Sequence, residues 1–278
     1  MHRILPLVLG VGVWCAAALA LDVKPSDFGG ARPEGPCEIV VPRVDTPPAI
    51  DGDLGDAVWA QAAAAKPFWR AGANVLAEEQ TIAWLCFDRD NLYVAWACLD
   101  AKLVGEPVAR DDKAIWRHDC VEVFLSPERD AKTERQFMLS VEGAVYDRRP
   151  GAEYGPGGAD WNPKWEGKVK RQPWGYTAEM RLPFAELLDA RKYPVGRGSV
   201  WTMKLTRQDR GDHSGTRTSS WTPIGPNTGD LRAVGRLIFE DRNLLANGGA
   251  EIADAQGAPV GWTVTSTKVT ATVRSTAE

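Results

Sequence analysis

Trp116-Arg117-His118-Asp119-Cys120-Val121-Glu122-Val123-Phe124-Leu125 is the stretch whose reading decides the fold. From 119 to 125 it has the apolar and β-branched composition of a strand. One acid, Glu122, stands inside that strand. A carboxylate there must face solvent or be paired, because an unpaired buried charge is costly. Trp116, Arg117, Asp119 and Glu122 together offer a flat stacking surface edged by hydrogen-bonding groups. That is the chemistry a sugar ring needs, since an indole is apolar on its face and polar at one edge.

Upstream lies Thr81 to Phe87, then the polar turn Asp88-Arg89-Asp90-Asn91, then Leu92 to Leu99. Two apolar runs around a short polar turn make a β-hairpin. Both runs are nearly continuous in hydrophobicity, which places them centrally in a sheet. The polar loop 100–118 delivers Trp116 to its strand. Downstream, Gln136 to Val141, 165–171, 175–182, Ser199 to Thr206, Ser219 to Thr222 and Val234 to Glu240 read as further strands. Asp53 to Trp59 and Pro183 to Leu188 are the short helical pieces, the second opened by its proline. Many short strands with turn signals between them predict an all-β fold, an antiparallel β-sandwich with very little helix. Two loops are richest in chemistry. Residues 148–163 hold Tyr154 and Trp161 among glycines and prolines, and 207–216 gather Arg207, Asp209, Arg210 and Asp212, with Arg217 following.

Composition narrows the function. Twelve Trp exceed seven Phe and five Tyr in 278 residues, which fits a tryptophan-packed sandwich core with some left for carbohydrate recognition. A net charge of -4 gives no basic face for nucleic acid. Met1-His2-Arg3, the apolar run Ile4 to Leu19 and the small-x-small Ala18-Leu19-Ala20 read as a signal peptide over 1–20. The expected mature protein is therefore secreted or periplasmic, with no membrane segment. Cys15 leaves with the signal, and its neighbour Trp14 does not fit a lipoprotein box. Cys37, Cys86, Cys98 and Cys120 remain, and export permits disulfides among them. Cys86 and Cys98 flank one hairpin without facing each other, so they do not pair directly. Zinc lacks its CxxC spacing, and a catalytic triad or His-rich metal site has only His118 and His213 to draw on.

Several motifs, in order, carry a resemblance. They are Ile50-Asp51-Gly52 with Trp59, Leu92-Tyr93-Val94, Trp116-x-x-Asp119-x-Val121-Glu122-Val123-Phe124, and Tyr176-x-x-Glu179-x-x-Leu182-Pro183-Phe184. Trp201 with Arg207, Ser220-Trp221 and Val234-Gly235 complete the set. From about Pro42 to Glu240 the chain resembles the carbohydrate-binding modules of family 9 and the wider set of CBM9-like and DOMON-like sandwiches. The resemblance implies a β-sandwich that binds cellulose, xylan or soluble sugars and is attached to a catalytic domain such as a xylanase. It implies that the sugar lies between two Trp side chains, of which Trp116 matches the first, with Glu122 as a ligand-contacting acid. It departs at Pro226 to Asp230, which hold no second Trp, and at Met138, where an Arg is expected. Arg217 lies near another expected Arg. It also implies bound calcium, for which Asp51, Asp53 and Asp88 are the first acids to consider. Haem, bound by some relatives of this sandwich, would draw on Met138, Met180 and Met203. Residues 21–42 read as a linker or an N-terminal strand. Residues 241–278, with Asn243-Leu244-Leu245-Ala246-Asn247-Gly248-Gly249, resemble the start of a second carbohydrate-binding β module.

The candidate glycan readers are thus Trp116, Arg117, Asp119, Glu122, Trp161, Arg207, Arg210 and Arg217. Trp161 stands in for the absent clamp partner. Each has a plainer role open to it. Trp116 and Trp161 can cover core, and the arginines can form a solvated charged loop. Asp119 and Glu122 can form a structural cluster with Arg207 or Arg210, or serve as the paired carboxylates of a glycoside hydrolase. Forked guanidinium donors suit hydroxyls and carboxylates alike, so an acidic sugar would also use them.

Overall fold

A computed structural model describes residues 21–31, 37–73, 75–112, 114–127, 134–149, 161–187, 195–196, 198–211, 217–225, 235–240, 262–265 and 268–271. Residues 1–20, read from the sequence as a signal peptide, Tyr154, His213 and the Pro226 to Asp230 segment lie outside them. Among the described residues no helix is long and apolar enough to cross a membrane.

Two sheets face each other. The larger contains β1 (Glu38–Pro42), β3 (Trp69–Arg70), β6 (Cys120–Ser126), β7 (Arg135–Ser140), β8 (Val145–Arg148), β11 (Val200–Asp209), β12 (Arg217–Ser220) and β13 (Gly235–Glu240). Its order is β1-β13-β11-β6-β7-β8, with β12 joined to β11 and β3 to β12. The smaller sheet has the order β2-β4-β5-β10-β9, from β2 (Ala63–Ala65), β4 (Thr81–Phe87), β5 (Asn91–Leu99), β9 (Glu166–Gln172) and β10 (Gly175–Pro183). Pairing is antiparallel except between β1 and β13, which run parallel. Among the described residues the one α-helix, α1 (Phe184–Leu187), is a single turn. A separate hairpin joins β14 (Trp262–Thr265) to β15 (Lys268–Ala271).

Alternation along the strands builds the core. Val121, Val123 and Leu125 of β6, Phe137 and Leu139 of β7, and Trp201, Met203 and Leu205 of β11 point inward. They meet Leu85, Val94, Trp96, Ala178 and Met180 of the smaller sheet in one buried cluster. Each large apolar side chain placed there contributes about 2–3 kcal/mol from removal of surface from water. The smaller sheet is covered on its other face too. Val44, Leu54, Val58 and Trp59 pack on Ile82, Trp84, Cys86, Tyr93, Ala95 and Ala97. That second layer explains why β4 and β5 read as unbroken apolar runs.

Glu179 fastens the covering layer. It is buried, and its carboxylate accepts Trp59 Nε1 at 2.7 Å, Gly52 N at 2.8 Å and Asp51 N at 3.0 Å. The separated motifs around Asp51-Gly52, Trp59 and Glu179 are therefore one hydrogen-bonded knot. Gly52 has φ of +87°, and a Cβ there would lie 2.8 Å from the Val169 carbonyl carbon. Only glycine fits a backbone that turns this way and approaches β9 so closely.

Candidate functional site

Trp116 stands on a 3-10 turn, Ile115–Arg117, immediately before β6. Asp112 braces the entry to the turn, its Oδ1 accepting Ala114 N at 2.7 Å. Ile115 is buried against Cys120 and Met138 and anchors the turn to the sheet. With Ile115 turned in, its neighbour Trp116 is turned out and is 46% exposed. Among the described residues it is the one exposed aromatic.

Two guanidinium groups flank the indole. The Arg210 Cζ lies 5.0 Å from the ring centroid and the Arg117 Cζ 5.5 Å, both within cation–π range. Arg210 also donates through Nε to the Trp116 carbonyl at 3.1 Å, with a second, shorter bond from its terminal nitrogen. Its own N–H is held by Asp119 Oδ1 at 2.6 Å. Partial burial lowers the Arg210 pKa, and the nearby Arg117 charge adds to that shift.

Asp119 is buried and ties three segments. Its other carboxylate oxygen accepts Val104 N, its N–H donates to Val104 O at 2.8 Å, and its carbonyl accepts Val141 N at 2.8 Å. Burial pushes its pKa up to about 6, helped by the Asp100 charge and opposed by the two N–H donors. The sugar reader expected at Asp119 is thus a staple beneath the Trp116 turn.

Glu122 faces the opposite side of the sheet. It stands across from Met138 on β7 and Thr206 on β11, on the face away from the smaller sheet. It is 1% exposed, and it accepts Gln136 Nε2 at 2.8 Å and Gln208 Nε2 at 2.5 Å. Gln208 is tied onward through Oε1 to the Thr218 hydroxyl at 2.7 Å. Lys204, also fully buried on this face, lies 4.2 Å from the Phe124 ring centroid and 3.3 Å from Glu134. Burial raises the Glu122 pKa, and the glutamines and Lys204 pull it back. Gln136, Gln208 and Lys204 escape a motif-based reading, and only strand register brings them to Glu122. Asp119 and Glu122 lie on opposite faces and each is held in its own network, so they do not flank a common bond as hydrolase carboxylates would.

Three sequence candidates are placed elsewhere. β11 continues to Asp209, so Arg207 belongs to a strand and not to the charged loop expected over 207–216. Following Trp201, Met203 and Leu205 in alternation, Arg207 points inward and is fully buried. It bonds Asp100 Oδ2 at 2.7 Å and Thr81 Oγ1 at 3.3 Å, and lies 5.6 Å from the Tyr176 ring centroid. Trp161 does not serve as a second clamp for Trp116. It packs edge-on against Phe137, an inward residue, at 5.6 Å between centroids. Arg217, at the start of β12, stands opposite Asp209 of β11 and is ion-paired with Glu78.

The acids first considered for calcium are spent locally. Asp51 bonds Asp53 N at 2.8 Å, Asp53 pairs with Lys170, and Asp88 accepts Tyr93 Oη at 2.6 Å and Asn91 N at 2.7 Å. A tighter group is Asp100, Asp119 and Asp209, buried and with carboxylate oxygens within 4.8 Å of one another. Oxygen donors suit calcium, but Asp100 is already ion-paired with Arg207, and both Asp119 oxygens accept N–H donors. The cluster fits a guanidinium better than a metal ion. Cys37, Cys86, Cys98 and Cys120 are buried, and no disulfide joins any two of them.

Residues 50–242 match the family model described as carbohydrate family 9 binding domain-like. The chain belongs to that family. Two solved structures share its fold. One is a family 9 carbohydrate-binding module from Caldicellulosiruptor kristjanssonii in complex with cellotriose, 18% identical, with a TM-score of 0.53 over 74% of this chain and 94% of that one. The other is a family 9 module from the same organism in complex with glucose, also 18% identical, with a TM-score of 0.51 over 73% of this chain and 96% of that one. No curated protein matches the chain in sequence. Within this family 9 domain, the expected antiparallel sandwich is present.

Proposed function

We propose that this family 9 domain is the glycan-binding part of an exported polysaccharide-degrading protein and is itself non-catalytic. A pyranose lies on Trp116, with Arg117, Arg210 and, deeper in the sheet, Glu122 and its two glutamines as polar readers. The observation that carries this reading is the exposed indole of Trp116, held out by a buried turn, with two guanidinium groups beside it. Sugar rings bind such surfaces through CH groups on the aromatic face and hydroxyls on charged donors at its edge. Family membership and the cellotriose and glucose of the two related structures support it. The apolar leader over 1–20 supports export, and cellulose or xylan are the polymers the family resemblance suggests. A tethered binding module raises the local concentration of a catalytic domain at its polymer.

Affinity electrophoresis through gels cast with soluble xylan or a cellulose derivative tests the proposal. The wild-type chain is retarded, and Trp116→Ala migrates as in a glycan-free gel while its melting transition stays near wild type. Equal retardation of the two proteins removes Trp116 from the site.

A further inference from the structure

Arg210 grips Trp116 at two places. Its Nε donates to the Trp116 carbonyl at 3.1 Å, and a second nitrogen of the same guanidinium donates to that oxygen too. Its Cζ lies 5.0 Å from the indole centroid. One planar cation therefore meets both the backbone of the turn and the ring that the turn carries. Rotation of the indole about its side-chain bonds breaks the ring contact, and movement of the turn breaks the carbonyl bonds. Arg117 differs. Its Cζ lies 5.5 Å from the same centroid, but it belongs to the Ile115–Arg117 turn and moves with it. Its ring contact gives the indole no tie to the sheet.

Arg210 is itself anchored. It directly follows β11, and its N–H donates to Asp119 Oδ1 at 2.6 Å. Asp119 is fully buried, and its other carboxylate oxygen accepts Val104 N. Hydrogen bonds to a carboxylate are about twice as strong as neutral ones. The tie thus runs from a buried acid, through the end of a core strand, to an exposed ring. Trp116 is 46% exposed, so the core offers little packing to fix its rotamer. A ring already held in its bound orientation loses less freedom on binding. We propose, on the reading that Trp116 is the glycan surface, that Arg210 is a positioning residue with Asp119 as its anchor. Together they hold the Trp116 indole in the orientation that takes a sugar ring.

Two measurements on the full-length mature chain near neutral pH separate holding the ring from touching the sugar. The first is the order of the Trp116 indole N–H without glycan, by NMR relaxation, its signal assigned through its loss in Trp116→Phe. The second is affinity for cellotriose and xylotriose by calorimetry. Arg210→Gln, with a melting temperature near wild type, moves the indole into the flexible range, an order parameter below about 0.6. It also weakens trisaccharide binding by about threefold to tenfold. Asp119→Asn keeps one acceptor oxygen of two and moves both readings the same way by a smaller step. Arg117→Gln leaves the order of the indole unchanged, so any affinity lost there is a lost sugar contact. An indole as ordered in Arg210→Gln as in wild type overturns the inference and leaves the glycan site standing, with Arg210 only touching the sugar. A loosened ring that binds as tightly as wild type also overturns it, because holding the ring then contributes nothing. Equal loosening in Arg117→Gln overturns it as well, since the tie through β11 is then not what holds the ring. Trisaccharide binding that survives Trp116→Ala removes the glycan site, and the inference falls with it.

Discussion

At the scale of single residues, the charged side chains divide by which face of the larger sheet they occupy. Arg207 shares the inward register with Trp201, Met203 and Leu205. Burial disfavours the cation, but the carboxylates of Asp100 and Asp209 beside it keep Arg207 charged. Removing one partner of a buried pair leaves the other charge uncompensated, at a cost of about 3–5 kcal/mol. Arg207→Met is therefore expected to lower the urea midpoint strongly, and Arg207→Met with Asp100→Asn to recover part of the loss. Glycan retention of the folded fraction stays, because Arg207 does not reach the Trp116 surface. Glu122 behaves differently. Glu122→Ala strands the amides of Gln136 and Gln208 in a buried setting, about 1–3 kcal/mol for each donor left without an acceptor. It is expected to lower both stability, by urea titration, and glycan affinity, by calorimetry. The alternation that places Arg207 inside was legible in the sequence, since every second residue before it is apolar. A motif-by-motif reading passed over it because a charged residue beside charged neighbours looks like loop.

At the scale of elements, the hairpin of β4 and β5 was readable because its two strands pair locally across four polar residues. The segment of β1 reads as linker or strand alike, because it pairs in parallel with β13, almost two hundred residues away, and no local pattern records that contact. The strand containing Glu122 was readable, but its partners Gln136 and Gln208 emerge only from the register of β6 with β7 and β11. The knot at Glu179 shows the same limit. Asp51-Gly52, Trp59 and Glu179 are visible as separate signatures, yet their meaning is one carboxylate gathering three donors across two layers. Glu179→Ala leaves Trp59 Nε1 and two backbone N–H groups without their acceptor and should cost about 3 kcal/mol or more. Gly52→Ala drives a Cβ into the β9 backbone and should destabilise by a smaller but clear amount, about 1–3 kcal/mol. Thermal melts check both, and wild-type stability for Glu179→Ala would mean that the covering layer is held by apolar contact alone.

At the scale of the whole molecule, the carboxylates buried in this sandwich make stability depend on pH in one direction. Burial pushes Glu179 up to about 7, against three N–H donors that favour its charged form. Asp119 and Asp147 are pushed up to about 6, the latter although it accepts Trp165 Nε1 and pairs with Arg110. In the unfolded chain these groups titrate near 4, so between about pH 4 and 7 the folded chain holds protons that the unfolded chain has released. Their contribution is complete below the unfolded values and is lost as pH rises through 6 for the two aspartates and 7 for Glu179. The melting temperature is expected to fall by several degrees between pH 5 and pH 8, with ~1 kcal/mol shifting it by about 2–4 °C in a domain of this size. Asp147→Asn keeps an acceptor for Trp165 Nε1 and removes one titrating group, so its melting curve should be flatter across that range. A melting temperature that rises from pH 5 to 8 would show that the hydrogen bonds to these carboxylates outweigh their desolvation.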